Sequence, residues 1–191
     1  MFAKGRSNEE SLIENSSEVF NKVLLEIPQY WKTMELSIMN DFREIAKQES
    51  NGDIEIEYEI FYSLFDCIND YGELLSCFYE AFFLSIYSFY ERMLKKIVSR
   101  NCIVVIKDYN HISYAMILIN SIKRHLNTVI FEIVIEVMIT EIDSKYRLKR
   151  NEIAHEGYEG FCQIESVFIE EFLQKIKDVL IYINKMVENR G

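Results

Sequence analysis

The stretch "KYRLKRNEIAH", residues 145–155, holds the side chains best suited to acting on a phosphodiester. His155 is one of three histidines in the chain, and a histidine changes charge near neutral pH, so it can give or take a proton. Arg150, five positions earlier, offers a planar fork of donors to phosphate oxygens where a lysine would be a point charge. Asn151 could orient the histidine or bind a phosphate oxygen. Lys145, Arg147 and Lys149 complete a group of four cations within six residues of a chain whose net charge is -10. Two readings stand side by side. The cations are a local RNA-binding patch beside an Arg–His site, or they neutralise the C-terminal dipole of a helix and the histidine caps a carbonyl.

The site reading has requirements. Cleaving RNA without a metal means removing a proton from the 2′-hydroxyl, stabilising a pentacoordinate phosphate and protonating the 5′-oxygen. A single histidine can hardly be base and acid at once, whereas a second one from a partner protomer would resolve this. Spacing adds a condition. On a straight helix Arg150 and His155 point about 140° apart, so either the helix ends between them or the long arginine reaches around.

The elements that must carry these residues read as helices. Six glycines and one proline, Pro28, leave few turns for a sandwich or barrel, and 49% of the residues are hydrophobic. Amphipathic helices are expected over 8–27, stopped by Pro28, and over 31–48, ended by "ESNGD". Residues 54–68 alternate like a strand, but Ile54, Tyr58, Phe61, Phe65 and Ile68 follow the longer helical pattern. Gly72 then opens a long helix to about residue 100, in which Glu91 either pairs with Lys95 or Arg92 on an exposed face or stands as a supporting polar residue near the site, the pairing being the favoured account. A helix over 112–127 ends in Lys123, Arg124 and His125, which read as solvent-facing. From 129 to 155 the chain is rich in β-branched residues yet too long for a strand. Glu132, Glu136, Thr140, Asp143, Arg147 and Arg150 draw one polar stripe down this otherwise buried helix. A last amphipathic helix covers about 164–187.

The string "RNEIAH" resembles the signature of the HEPN superfamily, an arginine followed after four to six residues by a histidine, with a polar residue directly after the arginine. "FYERMLKKIV", residues 89–98, is similar to the helix that HEPN proteins pack beside their signature helix. The resemblance covers about residues 72–187. It implies an all-α helical bundle of HEPN type, here with an additional N-terminal helical hairpin. The expected organisation is a single domain, 1–191, with 1–71 as an extension packed on a 72–191 core. It further implies a metal-independent endoribonuclease without a cofactor, acting as a homodimer whose motifs face each other, with His155 as acid/base, Arg150 on the phosphate and Asn151 assisting. Toxins and anti-phage effectors are common in the family, so an antitoxin or defence-system partner protein is an expected companion. One departure is Tyr158, which follows the histidine by three positions instead of two and puts regulation by tyrosine modification in doubt.

Several classes of function fall away. An acidic chain repels nucleic acid overall, so any RNA site must be local. The N-terminus turns polar at once and the most apolar run, 81–90, is too short to span a bilayer. No membrane association and a cytoplasmic setting are therefore expected. Cys67, Cys77, Cys102 and Cys162 lie far apart, without metal-ligand spacing, and read as small core residues. A non-catalytic HEPN-like module that binds a partner protein or a nucleotide through the same face is the competing expectation.

Overall fold

The computed structural model describes residues 8–105, 112–156 and 164–190, with side chains for all of these except 67–74, 155 and 156. They form an all-α structure: α1 (Asn8–Glu49), α2 (Ile54–Arg100), α3 (Tyr114–His125), α4 (Ile133–Glu141), a π turn (Ile142–Tyr146), α5 (Arg147–Glu156) and α6 (Ser166–Glu188). No described helix is long and apolar enough to cross a membrane.

Two expected helix breaks are absent. Pro28 lies inside α1, which runs unbroken for 42 residues, and Gly72 lies inside α2, which runs for 47. A mid-helix proline costs roughly 3 kcal/mol and a glycine about 1 kcal/mol. Packing on the core side of each breaker outweighs that local cost, as that of Leu24 and Ile27 does just before the proline. The turn between the two helices matches "ESNGD": Asn51 and Gly52 take φ of 50° and 90°, and Asp53 accepts hydrogen bonds from the backbone N–H of Glu55 and Ile56 at 3.0 and 3.4 Å. Positive φ at both turn positions explains the Asn-Gly pair, and the aspartate caps α2.

α1 runs antiparallel to both α2 and α6. Its first turn sets buried Glu9 against Arg100 and Lys96 at the C-terminal end of α2, and Glu10 3.0 Å from Lys185 near the end of α6. Carboxylates at a helix start and cations at helix ends both suit the dipoles. The hydrophobic core draws Ile13 and Leu24 from α1, Phe83 to Val98 from α2, and residues of α3, α4, the π turn and α6, with the partly buried Ile153 of α5 packed against it. Within it Phe172 lies 5.0 Å from Phe83, 5.8 Å from Tyr87 and 4.7 Å from Tyr146, ring centre to ring centre.

Past Pro28 the two long helices leave this core. Between residues 28 and 66 the only buried side chains are Ala46 and Ser50. α1 and α2 are about 63 and 70 Å long against about 35 Å for α6, so their joined ends project as a two-helix arm.

The expected single helix over 129–155 begins at Ile133 and passes through the π turn. It is not buried apart from its polar stripe. Ile135, Ile139, Ile142 and Tyr146 face the core, whereas Ile133, Val134 and Val137 are 78, 62 and 53% exposed. Among the described residues this side is left to solvent, while α6 and the end of α2 pack against the other side and α3 reaches Glu136 and Asp143 of the polar stripe. The cysteines are corrected too. Cys102 is exposed at φ 52° and Cys77 is half-buried, while Cys162 lies outside the described residues and the side chain of Cys67 outside the described side chains.

Candidate functional site

Arg150 is positioned from below by aromatic packing. Tyr87 of α2 is stacked on Phe172 of α6 at an interplanar angle of 19°, which fixes its ring, and the Arg150 guanidinium lies over that ring, 5.8 Å from its centre. Cation–π contact of this kind suits arginine, whose flat head spreads its charge. The same guanidinium donates to Asn151 Oδ1 at 3.0 Å. Arg150 and Asn151 are both half-buried, so two of the three catalytic candidates meet at one point.

The third is placed by backbone alone. α5 continues to Glu156, so the helix does not end between Arg150 and His155. The two positions are about 140° apart around the axis and about 7.5 Å along it. Helix register by itself separates them. The His155 side chain lies outside the described side chains, and Tyr158 lies outside the described residues.

The three cations expected to hold RNA are spread over different neighbours. Lys145 reaches Glu171 of α6 at 3.4 Å and lies 5.0 Å from the ring centre of Phe168. Arg147 Nε donates to the Asp143 carbonyl oxygen at 2.8 Å and lies 3.3 Å from Asp143 Oδ1. Lys149 lies 3.4 Å from Glu152. Asp143 is held in turn by Ser113, whose hydroxyl donates to its Oδ1 at 2.5 Å and accepts from the N–H of Met116 at the start of α3. Each of these cations therefore has a carboxylate beside it. Arg150, among the described residues, has none within ion-pairing distance.

Of the neighbours of Arg150, Tyr87 and Tyr90 escape a reading of the sequence, whereas Glu91 is a candidate supporting residue there. Tyr87 sits in an apolar run that looks like plain core. Glu91, one turn farther along α2, makes no ion pair with Lys95 or Arg92 among the described residues, and Arg92 Nε donates to the Ser88 carbonyl instead. Glu91 is half-buried, burial raises its carboxyl above the usual range, and the Arg150 charge opposes that rise. Burial also pushes the Tyr87 hydroxyl up to about 12, with Glu91 and Asp143 adding to the effect and Arg150 and Arg147 opposing it. Tyr90, fully buried, has a hydroxyl without a hydrogen-bond partner, and its pKa is raised by burial, then by Tyr87, Asp143 and Glu91. The four-residue step from Tyr87 to Glu91 was the available signal, since it puts both on one helix face.

At the other end of the stripe Glu136 and Lys123 pair at 2.6 Å, and Glu136 also accepts the Phe131 N–H. Burial would raise the Glu136 carboxyl, but Lys123 and that N–H outweigh it and the net shift is downward. Lys123 is thus engaged rather than solvent-facing, while His125 is exposed as expected.

Taken together, the described geometry presents an arginine held by an aromatic ring and an asparagine, free of a carboxylate partner, on the helix that also carries a histidine position. Such a fork can receive a phosphate without first breaking an ion pair. No family model matches this chain, and neither a curated protein nor a solved structure matches it.

Proposed function

We propose that the protein is a metal-independent endoribonuclease of HEPN type, working as a homodimer and serving as a toxin or anti-phage defence effector. His155 moves the proton of the attacking 2′-hydroxyl in one step and of the departing 5′-oxygen in the other, using one copy from each protomer. Arg150 holds the phosphate oxygens as charge builds on them, and Asn151 keeps the guanidinium in place. The observation that carries this reading is the state of Arg150. Alone among the four cations of the 145–150 run, it has no carboxylate partner among the described residues.

The dimer draws support from the unpartnered side of α4. Ile133, Val134 and Val137 on α4, with Val129 and Ile130 in the segment just before it, are between 53 and 88% exposed on the stretch that leads to Arg150. A second copy packed there would bring two signature helices together.

The test incubates wild type, Arg150→Ala and His155→Ala with labelled RNA in EDTA. Cleavage by wild type alone, leaving 2′,3′-cyclic phosphate ends, is the expected result. Equal behaviour of three well-folded proteins would refute it. The pairing of Lys145, Arg147 and Lys149 with carboxylates favours the second reading, a non-catalytic module that binds a partner protein or a nucleotide through this face. RNA affinity that stays unchanged when all three are altered would support that reading.

A further inference from the structure

The arm formed by residues 28–66 has no task in the proposed reaction. Along α2, Tyr62 is about 38 Å from Tyr87, so the arm is distant from Arg150. Its composition is unusual. Nine acidic and three basic residues give it a charge of -6, more than half of the chain's -10 in about a fifth of its length.

It also exposes apolar side chains in an ordered row. Ile54, Tyr58 and Tyr62 follow one another at four-residue steps on α2 and are 68, 61 and 58% exposed. The two tyrosine rings are stacked, 6.3 Å apart at 19°. Beside this ridge lies a recess of about 310 Å³ lined by Arg43, Ala46, Glu57, Tyr58 and Phe61, with Arg43 already engaged over the Phe61 ring at 5.8 Å. Glu55, Glu57, Glu59 and Asp66 border the ridge on the same helix, and none of them has an ion-pair partner among the described residues. Asp53 and the helix N-terminus account for the first turn's taste for acids, but Glu59 and Asp66 lie beyond it.

We infer that this ridge is a docking surface for a basic amphipathic helix of a partner protein. Apolar residues of the partner cover Ile54 and fill the recess, while its lysines and arginines meet Glu55, Glu59 and Asp66 and lie on the faces of Tyr58 and Tyr62. Charge selects this occupant over a second copy of the arm, because two arms at -6 each repel when laid side by side. Nucleic acid is excluded for the same reason.

The test uses the full chain and a labelled 20-residue helical peptide with leucines on one face and lysines and arginines on the other. A peptide with the same apolar face and glutamates in place of the cations is the comparison. Fluorescence anisotropy should show the basic peptide binding at least tenfold more tightly than the acidic one. The double change Tyr58→Ala with Tyr62→Ala should weaken binding at least fivefold. The triple change Glu55→Gln, Glu57→Gln and Glu59→Gln should weaken it at least tenfold and flatten its salt dependence. Removing as many charges from the bundle, with Glu18→Gln, Glu132→Gln and Glu170→Gln, should leave it within twofold, and so should Arg150→Ala. The inference is overturned if the arm variants bind like wild type or if the bundle control loses as much as the arm triple. It also fails if sedimentation shows a wild-type dimer that the double tyrosine change turns into monomer, which would make the occupant a second copy.

Discussion

Where α1 and α2 lie against α6, Ile13, Leu24, Phe83, Tyr90 and Leu94 are at most 2% exposed. Farther out, in the arm, the same two helices leave Ile38, Phe42, Ile60, Phe61 and Leu64 only half-buried. The residue types differ little between the two regions. What differs is the number of neighbours, since a pair of helices can hide one seam and a third helix is needed to close it. The bundle therefore holds Arg150 on a ring fixed by packing, while the arm offers apolar surface to something outside the chain.

The largest effect should come from removing the central ring. Phe172→Ala, at 0% exposure and against three other rings, should cost about 3–5 kcal/mol in urea denaturation. Phe61→Ala in the arm should cost only about 1–2 kcal/mol, because that ring is only partly buried. Equal costs would mean that the arm is as tightly packed as the bundle.

Pro28 stands where α1 leaves the core, so Pro28→Ala tests the junction. It restores a hydrogen bond to the Leu24 carbonyl and should raise the melting temperature, with a gain of up to roughly 3 kcal/mol. A loss would show that the proline suits a bend required there. Asp53→Ala removes the cap of α2 and should cost about 1 kcal/mol. Because the arm is the less buried region, hydrogen exchange should report that loss in amides near residue 55 before any in the bundle.

The smallest effect concerns Glu91. Its carboxyl is raised in the folded protein by burial, against the pull of Arg150. The folded form therefore binds a proton more readily than the unfolded chain, and its contribution favours folding below the ordinary glutamate pKa of about 4.5. That contribution fades as pH rises above 4.5 through the raised value. Glu91→Gln should remove this slope from a plot of stability against pH. A slope unchanged in the variant would place the titrating group elsewhere.

Much of the helical arrangement was legible from residues 8 to 188. "ESNGD" marks its turn because only a few residue types tolerate positive φ, and the 54–68 segment reads as helix because its apolar spacing outlasts its alternation. Pro28 and Gly72 misled because a breaker is weighed locally, while the packing that overrides it is distant in sequence. The π turn at Ile142–Tyr146 has no sequence mark of this kind. Of the candidate site, Arg150 and Asn151 stand out in the sequence by residue type and position alone, and the pairings of Arg147 with Asp143 and of Lys149 with Glu152 follow from helical spacing. Tyr87 and Glu171 were not, since each meets its cation across a helix–helix contact.

The sequence by itself determined an all-α chain, its acidic balance, the hairpin turn and the single arginine–histidine string, because each depends on residue types within a few positions of one another. Only the tertiary structure decided that Lys145 meets Glu171, that a tyrosine of α2 lies beneath Arg150, and that half of the long hairpin stands clear of the core. Those outcomes depend on which helix faces meet, and that is settled by the packing of the whole bundle at once.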